Sequence, residues 1–400
     1  MAPRESPKIP VEPTVLKWAR ESAGLGPASV AHALKIGEEV VKHWEEGTDA
    51  PSLSNLRKIA HLYKRPLAAL LLDRPPAEGS FPRDYRRVWG SRSEKPSPEF
   101  LLAVRRARRA HAAASELAGL LGRNTSMNLG RISDQMDPEI AAESVRNQLS
   151  GEPFGRARAG SHNANKVFKL WRTRIEACNI LVLEERIPIE EARGFSLNAK
   201  ELPTIVVNKN DSAVAKTFTL FHELCHLLMS QEGICDLANN GQSIYDPNEA
   251  YCNRFAGALL VPKGLLAPLV PPHLLERYVG RSPIDYIHQL DEELGRLSAR
   301  FCVSRDVVIR RLADLGFVPK EIYQEWRRIW MAQPKEETKK RGGRVDMAHK
   351  RVNEWGFLFS SIVSEALRSD EITSSDAADY LNLRVKHLPK IGYIVAKAFG

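Results

Sequence analysis

Residues 217–228 read TFTLFHELCHLL, and this stretch decides how the chain is interpreted. Its polar side chains His222, Glu223 and His226 are surrounded by apolar residues at positions 218, 220, 221, 224, 227 and 228. This pattern predicts a buried helix. A buried polar group without a partner costs free energy, so the burial of these three side chains indicates that they have a functional role inside the core.

The two histidines of this stretch have the spacing of metal ligands. His222 and His226 lie four residues apart, about one helical turn, so both imidazoles can reach one ion. Glu223 is displaced by roughly 100° around the helix, where it can touch a metal-bound water without taking a coordination position. The pattern predicts a metal site with a general base. A satisfied pair of core histidines is the alternative, because the short motif also occurs by chance.

A second helix is predicted to supply the third ligand. Residues 249–256 read EAYCNRFA, and Leu259 and Leu260 continue their apolar stripe. Glu249 follows His226 by 23 residues, which leaves room for a turn and a return helix. A His-His-Glu set is one that binds catalytic zinc, so we expect Zn²⁺ here. Asn253, one turn beyond Glu249, is expected to accept an N–H from a ligating histidine.

The composition is that of a globular protein in a reducing compartment. The chain has 400 residues, of which 43% are hydrophobic and 27% charged, and this length predicts two to four domains. Five cysteines are too few and too irregular for a disulfide framework. We find no secretory signal and no apolar stretch of about 18 residues, so we expect a cytoplasmic protein with no membrane partner.

The order of the predicted elements indicates an α+β fold that is mostly helical. Short helices come first, a small sheet follows near the His-Glu motif, and further helices end the chain. We expect a helix-turn-helix bundle at 10–75 and a basic linker with helices at 76–165. The metal-binding core is predicted at 166–275, a helical, winged-helix-like subdomain at 276–330, and a C-terminal helical module at 345–400.

These motifs resemble the ImmA/IrrE family of metallopeptidases. The resemblance rests on residues 218–228, on Glu249, Asn253 and Pro262 with the apolar residues between them, and on the strand 205–208. It extends to residues 16–47, which are similar to an XRE-type helix-turn-helix domain. Departures are Ala258, where many relatives carry an acidic residue, and Cys225, where a glycine is usual.

The resemblance implies a gluzincin-like metallopeptidase core and a narrow substrate range. Family members cut XRE-type repressors that control mobile elements, DNA-damage responses or anti-phage defence. We therefore expect a zinc endopeptidase whose substrate is such a repressor. The strand residues Ile205, Val206, Val207 and Asn208 are expected to form a sheet edge that pairs with an extended substrate segment.

Positive charge is concentrated in one region. The chain carries a net charge of +9, and residues 83–131 alone hold eleven Lys/Arg against four Asp/Glu. Arg105, Arg106, Arg108 and Arg109 lie together on a predicted helix, and Tyr85 and Trp89 precede them. Aromatic and basic residues in this mixture suit single-stranded nucleic acid. The family resemblance implies DNA as the activating signal. A solvated basic helix without a ligand is the alternative.

The predicted recognition helix of the N-terminal domain begins with Glu38 and Glu39. Recognition helices place their first residues against bases and phosphates, where two carboxylates are unfavourable. The domain therefore either binds DNA weakly or docks a protein. For the whole chain, the alternatives to the peptidase are a transcriptional regulator with a non-catalytic zinc site and a repair protease for cross-linked proteins.

Overall fold

The computed structural model describes residues 7–76, 85–87, 96–149, 163–229, 247–271, 283–331 and 346–399. The chain divides into two compact units. The first unit contains Met1–Arg83, Arg87–Arg106 and Arg186–Ala192, and the second contains Asp84–Arg86, Ala107–Glu185 and Arg193–Gly400. The predicted region 76–165 is therefore shared between the two units. No helix among the described residues is long and apolar enough to cross a bilayer.

The N-terminal part of the first unit is a bundle of short helices. They are α1 (Pro13–Ser22), α2 (Pro27–Leu34), α3 (Glu38–Glu46), α4 (Leu53–Leu62) and a 3₁₀ turn at Leu67–Leu71. Their buried side chains, among them Leu16, Val30, Trp44, Leu56 and Ile59, form one core. Ser52 caps α4 by accepting from the backbone N–H of Asn55. The helix-turn-helix bundle expected from the sequence is confirmed.

Three described helices lie wholly or partly in the second unit before residue 181. Helix α5 (Pro98–Leu120) contains the division between the units, at Arg106 and Ala107, and α6 (Pro138–Gln148) and α7 (Ala164–Glu176) follow. Trp171 of α7 is fully buried and meets Phe221 edge to face, with ring centroids 4.9 Å apart. Aromatic pairs in this geometry stabilise a core beyond the area they bury.

The sheet is small and mixed. Its strands are β1 (Tyr85–Arg87), β2 (Leu181–Glu185), β3 (Ala192–Leu197) and β4 (Thr204–Asn208), in the order β1-β3-β4-β2. Strand β4 runs parallel to β2 and antiparallel to β3. The prediction that residues 205–208 form an edge is therefore wrong, because β4 uses both sides of its backbone to pair with β2 and β3.

The described residues between the sheet and position 331 form six α-helices and a 3₁₀ turn at Ala267–Leu269. The helices are α8 (Ala213–Met229), α9 (Pro247–Leu260), α10 (Lys263–Leu266), α11 (Pro283–Phe301), α12 (Arg305–Asp314) and α13 (Lys320–Met331). Residues 283–331 contain these last three helices and no strand, so the described part of the predicted winged-helix-like subdomain is helical without a wing.

The C-terminal helices are held to the core of this unit by a buried ionic cluster. They are α14 (Met347–Trp355), α15 (Phe357–Arg368), α16 (Ser374–Tyr380), a 3₁₀ turn at Val385–His387 and α17 (Leu388–Phe399). Arg172 contacts Glu176, Glu184 and the carbonyls of Val182 and Asn353. Glu176 also accepts from the N–H of Phe357, the first residue of α15. Removing one member of such a cluster leaves an uncompensated buried charge.

Gly356 allows the close approach that this cluster requires. Its φ is +85°, and a Cβ at this position would lie 2.1 Å from Glu176 Oε1 and 2.8 Å from the carbonyl oxygen of Val182. Both the backbone conformation and the space therefore demand glycine.

We expect Gly356→Ala to lower the free energy of unfolding by at least about 2 kcal/mol, because strain at positive φ adds to the clash. Gly392→Ala is the matched control, since a Cβ there meets nothing within 4 Å and α17 gains about 0.5–1 kcal/mol of helix propensity. Urea unfolding of the full chain measures both. Equal stability of the two variants would show that the Arg172 cluster tolerates a side chain.

Candidate metal centre

Helices α8 and α9 bring together the residues that the sequence singled out. Every residue of α8 from Thr217 to Leu228 is buried, so its two histidines and Glu223 lie within the apolar core. Helix α9 packs against α8 and carries Glu249 in its first turn. The apolar stripes of the two helices thus fix which faces meet, and the polar side chains meet within that contact.

Three donor atoms converge at one point. Glu249 Oε2 lies 3.2 Å from His222 Nε2, and its Oε1 lies 3.1 Å from His226 Nε2. The two Nε2 atoms are 3.1 Å apart. Among the described residues these three side chains are the group whose donors, all within 4.8 Å of one another, could hold a metal ion.

The donor spacing fits a tetrahedral metal. Bond lengths of about 2.0–2.1 Å at tetrahedral angles place two donors about 3.3 Å apart, close to the spacing found here. Three protein ligands leave a fourth position open for water or substrate, as in catalytic sites. Both histidines are buried, whereas the Glu249 side chain is 34% exposed, so the site opens to solvent on the side of Glu249.

Glu223 is fully buried next to this group, on the same helix. Strand β3 crosses close to it at Gly194, where a Cβ would lie 3.7 Å from Glu223 Cγ and 2.5 Å from Thr219 Cγ2. The absence of a side chain at position 194 therefore lets the strand lie directly on the helix that carries the carboxylate. The three-residue donor group does not include Glu223.

Electrostatics within the site favour a charged pair when no metal is bound. Burial lowers the pKa of His226, but contacts with Cys252 and Glu249, together with the charge of Glu223, raise it to about 12. Burial raises the pKa of the Glu249 carboxyl, yet its bonds to the two histidines hold that pKa far below the usual range. A metal must therefore displace a proton from this centre.

Asn253 lies one turn beyond Glu249, as predicted, and its side chain makes a hydrogen bond within helix α9. Its amide nitrogen donates to the Glu249 carbonyl at 2.7 Å. Among the described residues, its buried amide oxygen has no hydrogen-bond partner. The expected bond from a ligating histidine to this oxygen stays a prediction.

A cluster of sulfur atoms lies beside the histidines, and the sequence motifs drew attention only to its member Cys225. Cys225 Sγ and Cys252 Sγ lie 3.6 and 3.8 Å from Met229 Sδ. Hydrogen bonding to Cys225 and burial raise the pKa of the Cys252 thiol far above its ordinary value. Cys252 was missed because the sequence places it on α9, away from Cys225. Its spacing of three residues from Glu249 was the available signal.

The remaining predicted site residues lie elsewhere. Ile205, Val206, Val207 and Asn208 are fully buried inside the sheet. On α5, Arg106 and Arg109 are exposed, whereas Arg105 and Arg108 are only partly so. Arg105 donates to the backbone carbonyl of Tyr63 at 3.2 Å, so this arginine has a structural role.

A domain in which two buried helices bring together two histidines and a glutamate has the architecture of a metallopeptidase. Residues 175–313 match the model of peptidase family M78, described as an IrrE N-terminal-like domain, and residues 16–70 match a helix-turn-helix model. The chain thus contains a metallopeptidase-family domain and an N-terminal helix-turn-helix domain, and the resemblance inferred from the motifs is confirmed. Neither match spans half of the chain. Searches of curated proteins and of solved structures gave no significant match.

We expect Zn²⁺ binding at pH 7 to release about one proton, because the pKa of His226 is raised to about 12 without metal. The raised pKa stabilises the metal-free form at low pH, and this contribution is lost as pH rises, whereas zinc binding strengthens with pH. The zinc-induced increase in Tm should therefore be larger at pH 8 than at pH 6.

Titration calorimetry in buffers of different ionisation enthalpy counts the released protons. Glu249→Gln, which removes the charge that holds the proton on His226, should release fewer protons and bind zinc at least tenfold more weakly. Zinc binding to the wild-type chain without proton release would contradict the charged pair described here.

Proposed function

We propose that the protein is a zinc-dependent endopeptidase with His222, His226 and Glu249 as metal ligands and Glu223 as general base. The observation that carries this proposal is the convergence of three donors at tetrahedral spacing beside a buried carboxylate that is not among them. A purely structural zinc site has four protein ligands and no use for such a carboxylate.

The chemistry follows from these positions. Zinc bound here would polarise the scissile carbonyl and acidify a water molecule. Glu223 accepts the proton of the attacking water and passes it to the leaving amine nitrogen. Its complete burial excludes bulk solvent from the carboxylate, and the helix holds it one residue from His222. Glu249 positions the two imidazoles and partly neutralises the metal charge.

The substrate proposed is an XRE-type repressor, in a DNA-damage, mobile-element or anti-phage response in the cytoplasm. The family match and the helix-turn-helix domain of the same chain support this choice. The ImmA/IrrE resemblance described above implies the cleavage of such repressors. DNA, single-stranded or duplex, is the proposed activator. The exposed Arg106 and Arg109 remain candidates for that contact.

A DNA-binding transcriptional regulator with a non-catalytic zinc site is the second candidate. The helix-turn-helix match at residues 16–70 favours it. Glu223 argues against it, because a regulator that only needs zinc for its fold gains nothing from burying this carboxylate.

The proposal predicts one discrete cut in an XRE-type repressor from the same genome, in the presence of zinc. Glu223→Gln should reduce the rate at least about 100-fold while leaving zinc bound, because only proton transfer is removed. Glu201→Gln, an exposed carboxylate of the same unit, is the control and should cut normally. Gel electrophoresis with and without single-stranded DNA follows the reaction. Wild-type protein that binds zinc yet cuts under neither condition would favour the regulator.

A further inference from the structure

The C-terminal helices repeat the geometry of the N-terminal helix-turn-helix at a constant offset of 347 residues. Helix α2 begins at Pro27 and α16 begins at Ser374. The second helix of each pair begins at Glu38 and Val385 respectively, the latter as a 3₁₀ turn that continues into α17. The two motifs therefore agree in the spacing of 11 residues between the starts of their two helices, although the first helix has 8 residues in one motif and 7 in the other.

The turns also agree in backbone detail. Lys35 has φ +59° and Asn382 has φ +50°, so a left-handed residue follows each first helix. The next residue then donates back to the helix, from Ile36 N to Ala31 O at 3.0 Å and from Leu383 N to Ala378 O at 2.9 Å. A left-handed residue with this back-bond is a Schellman cap, which ends the first helix and redirects the chain toward the second in both motifs.

Burial follows the same register. Val30, Ala31, Leu34, Val41 and Trp44 are buried in the first motif, and their counterparts Ala377, Ala378, Leu381, Leu388 and Ile391 are buried in the second. Only Ala378 and Leu381 keep the residue type of their counterparts. The C-terminal motif is thus a second helix-turn-helix by geometry and burial, outside the regions that match family models.

The outward faces of the two second helices carry opposite charge. Helix α3 presents Glu38, Glu39 and Glu46, and its Lys42 nitrogen lies 3.2 Å from carboxylates of both Glu38 and Glu39. Residues 381–400 contain no Asp or Glu. There the exposed residues include the basic Arg384, Lys386, Lys390 and Lys397, together with Val385 at 50% and Tyr393 at 70% exposure.

The geometry points to the C-terminal helix-turn-helix as a binding site for duplex DNA. Its second helix, residues 385–399, enters the major groove, where Val385 and Tyr393 lie at the bases. Arg384 and Lys386 contact phosphates near its first turn. Lys390 pairs with Asp346, but this exposed ion pair is weak and exchanges for a phosphate. DNA contact is thereby assigned to this motif and not to the acidic face of α3.

This site is independent of the proposed peptidase activity, so the two can fail separately. Fluorescence anisotropy with a labelled 24-base-pair duplex of mixed sequence measures binding to the full chain over a range of salt concentrations. Arg384→Ala/Lys386→Ala should weaken binding at least tenfold at 100 mM salt. It should also reduce the slope of log K against log salt by about 2, since each lost phosphate contact removes about 0.9.

Lys42→Ala/Lys58→Ala removes the same charge from the N-terminal motif and should leave both quantities nearly unchanged. The assignment would be overturned if only this control variant lost DNA affinity, or if both double variants lost it equally. So would failure of the wild-type chain to bind the duplex.

Val385→Lys guards against a loss caused by misfolding. It adds a cation at an exposed position beside Lys386, so it should tighten binding several-fold and raise the slope by about 1. A gain of this kind cannot come from an unfolded module. Unchanged binding of Val385→Lys, with an unchanged Tm, would also count against DNA in this groove.

Discussion

Two imidazoles and a carboxylate held within 3.2 Å of one another inside an apolar helix pair are the constraint on which the rest of the second unit depends. Polar groups in this position are costly unless each has a partner, and the partners must arrive from different helices. Helices α8 and α9 must therefore meet in one register. The strand below them must also come close enough to need glycine at position 194.

The donor group could be predicted because its signal is local. His222, Glu223 and His226 lie within one helical turn or so, and Glu249 stands at the start of the next helix. The position of β4 could not be predicted in the same way. Four apolar residues at 205–208 indicate a buried strand, but strand order depends on partners distant in sequence. Here β3 and β2 take both sides of β4, which excludes the substrate edge that we expected.

The ionic cluster at Arg172 shows a second limit of pattern reading. Arg172 occupies a position on α7 that sequence periodicity leaves open, and its partners come from α7, from β2 and from residues 353–357. No local sequence pattern predicts that Arg172 is buried. Burial of the Glu176 carboxyl raises its pKa to about 7, so at this group desolvation outweighs the opposing attraction of the Arg172 charge.

The two helix-turn-helix motifs show how one backbone can serve different partners. Their buried positions agree while almost every exposed position differs, because the core dictates only which residues face inward. Hydrophobic periodicity predicted the C-terminal helices. Their match to the first motif depends also on the left-handed backbone conformation of Asn382, which the sequence alone does not predict. The outward face of α3 carries three carboxylates, whereas four cations follow Leu383, so the C-terminal motif is the one whose charge attracts a polyanion. The acidic face of α3 is then free to meet a basic protein surface.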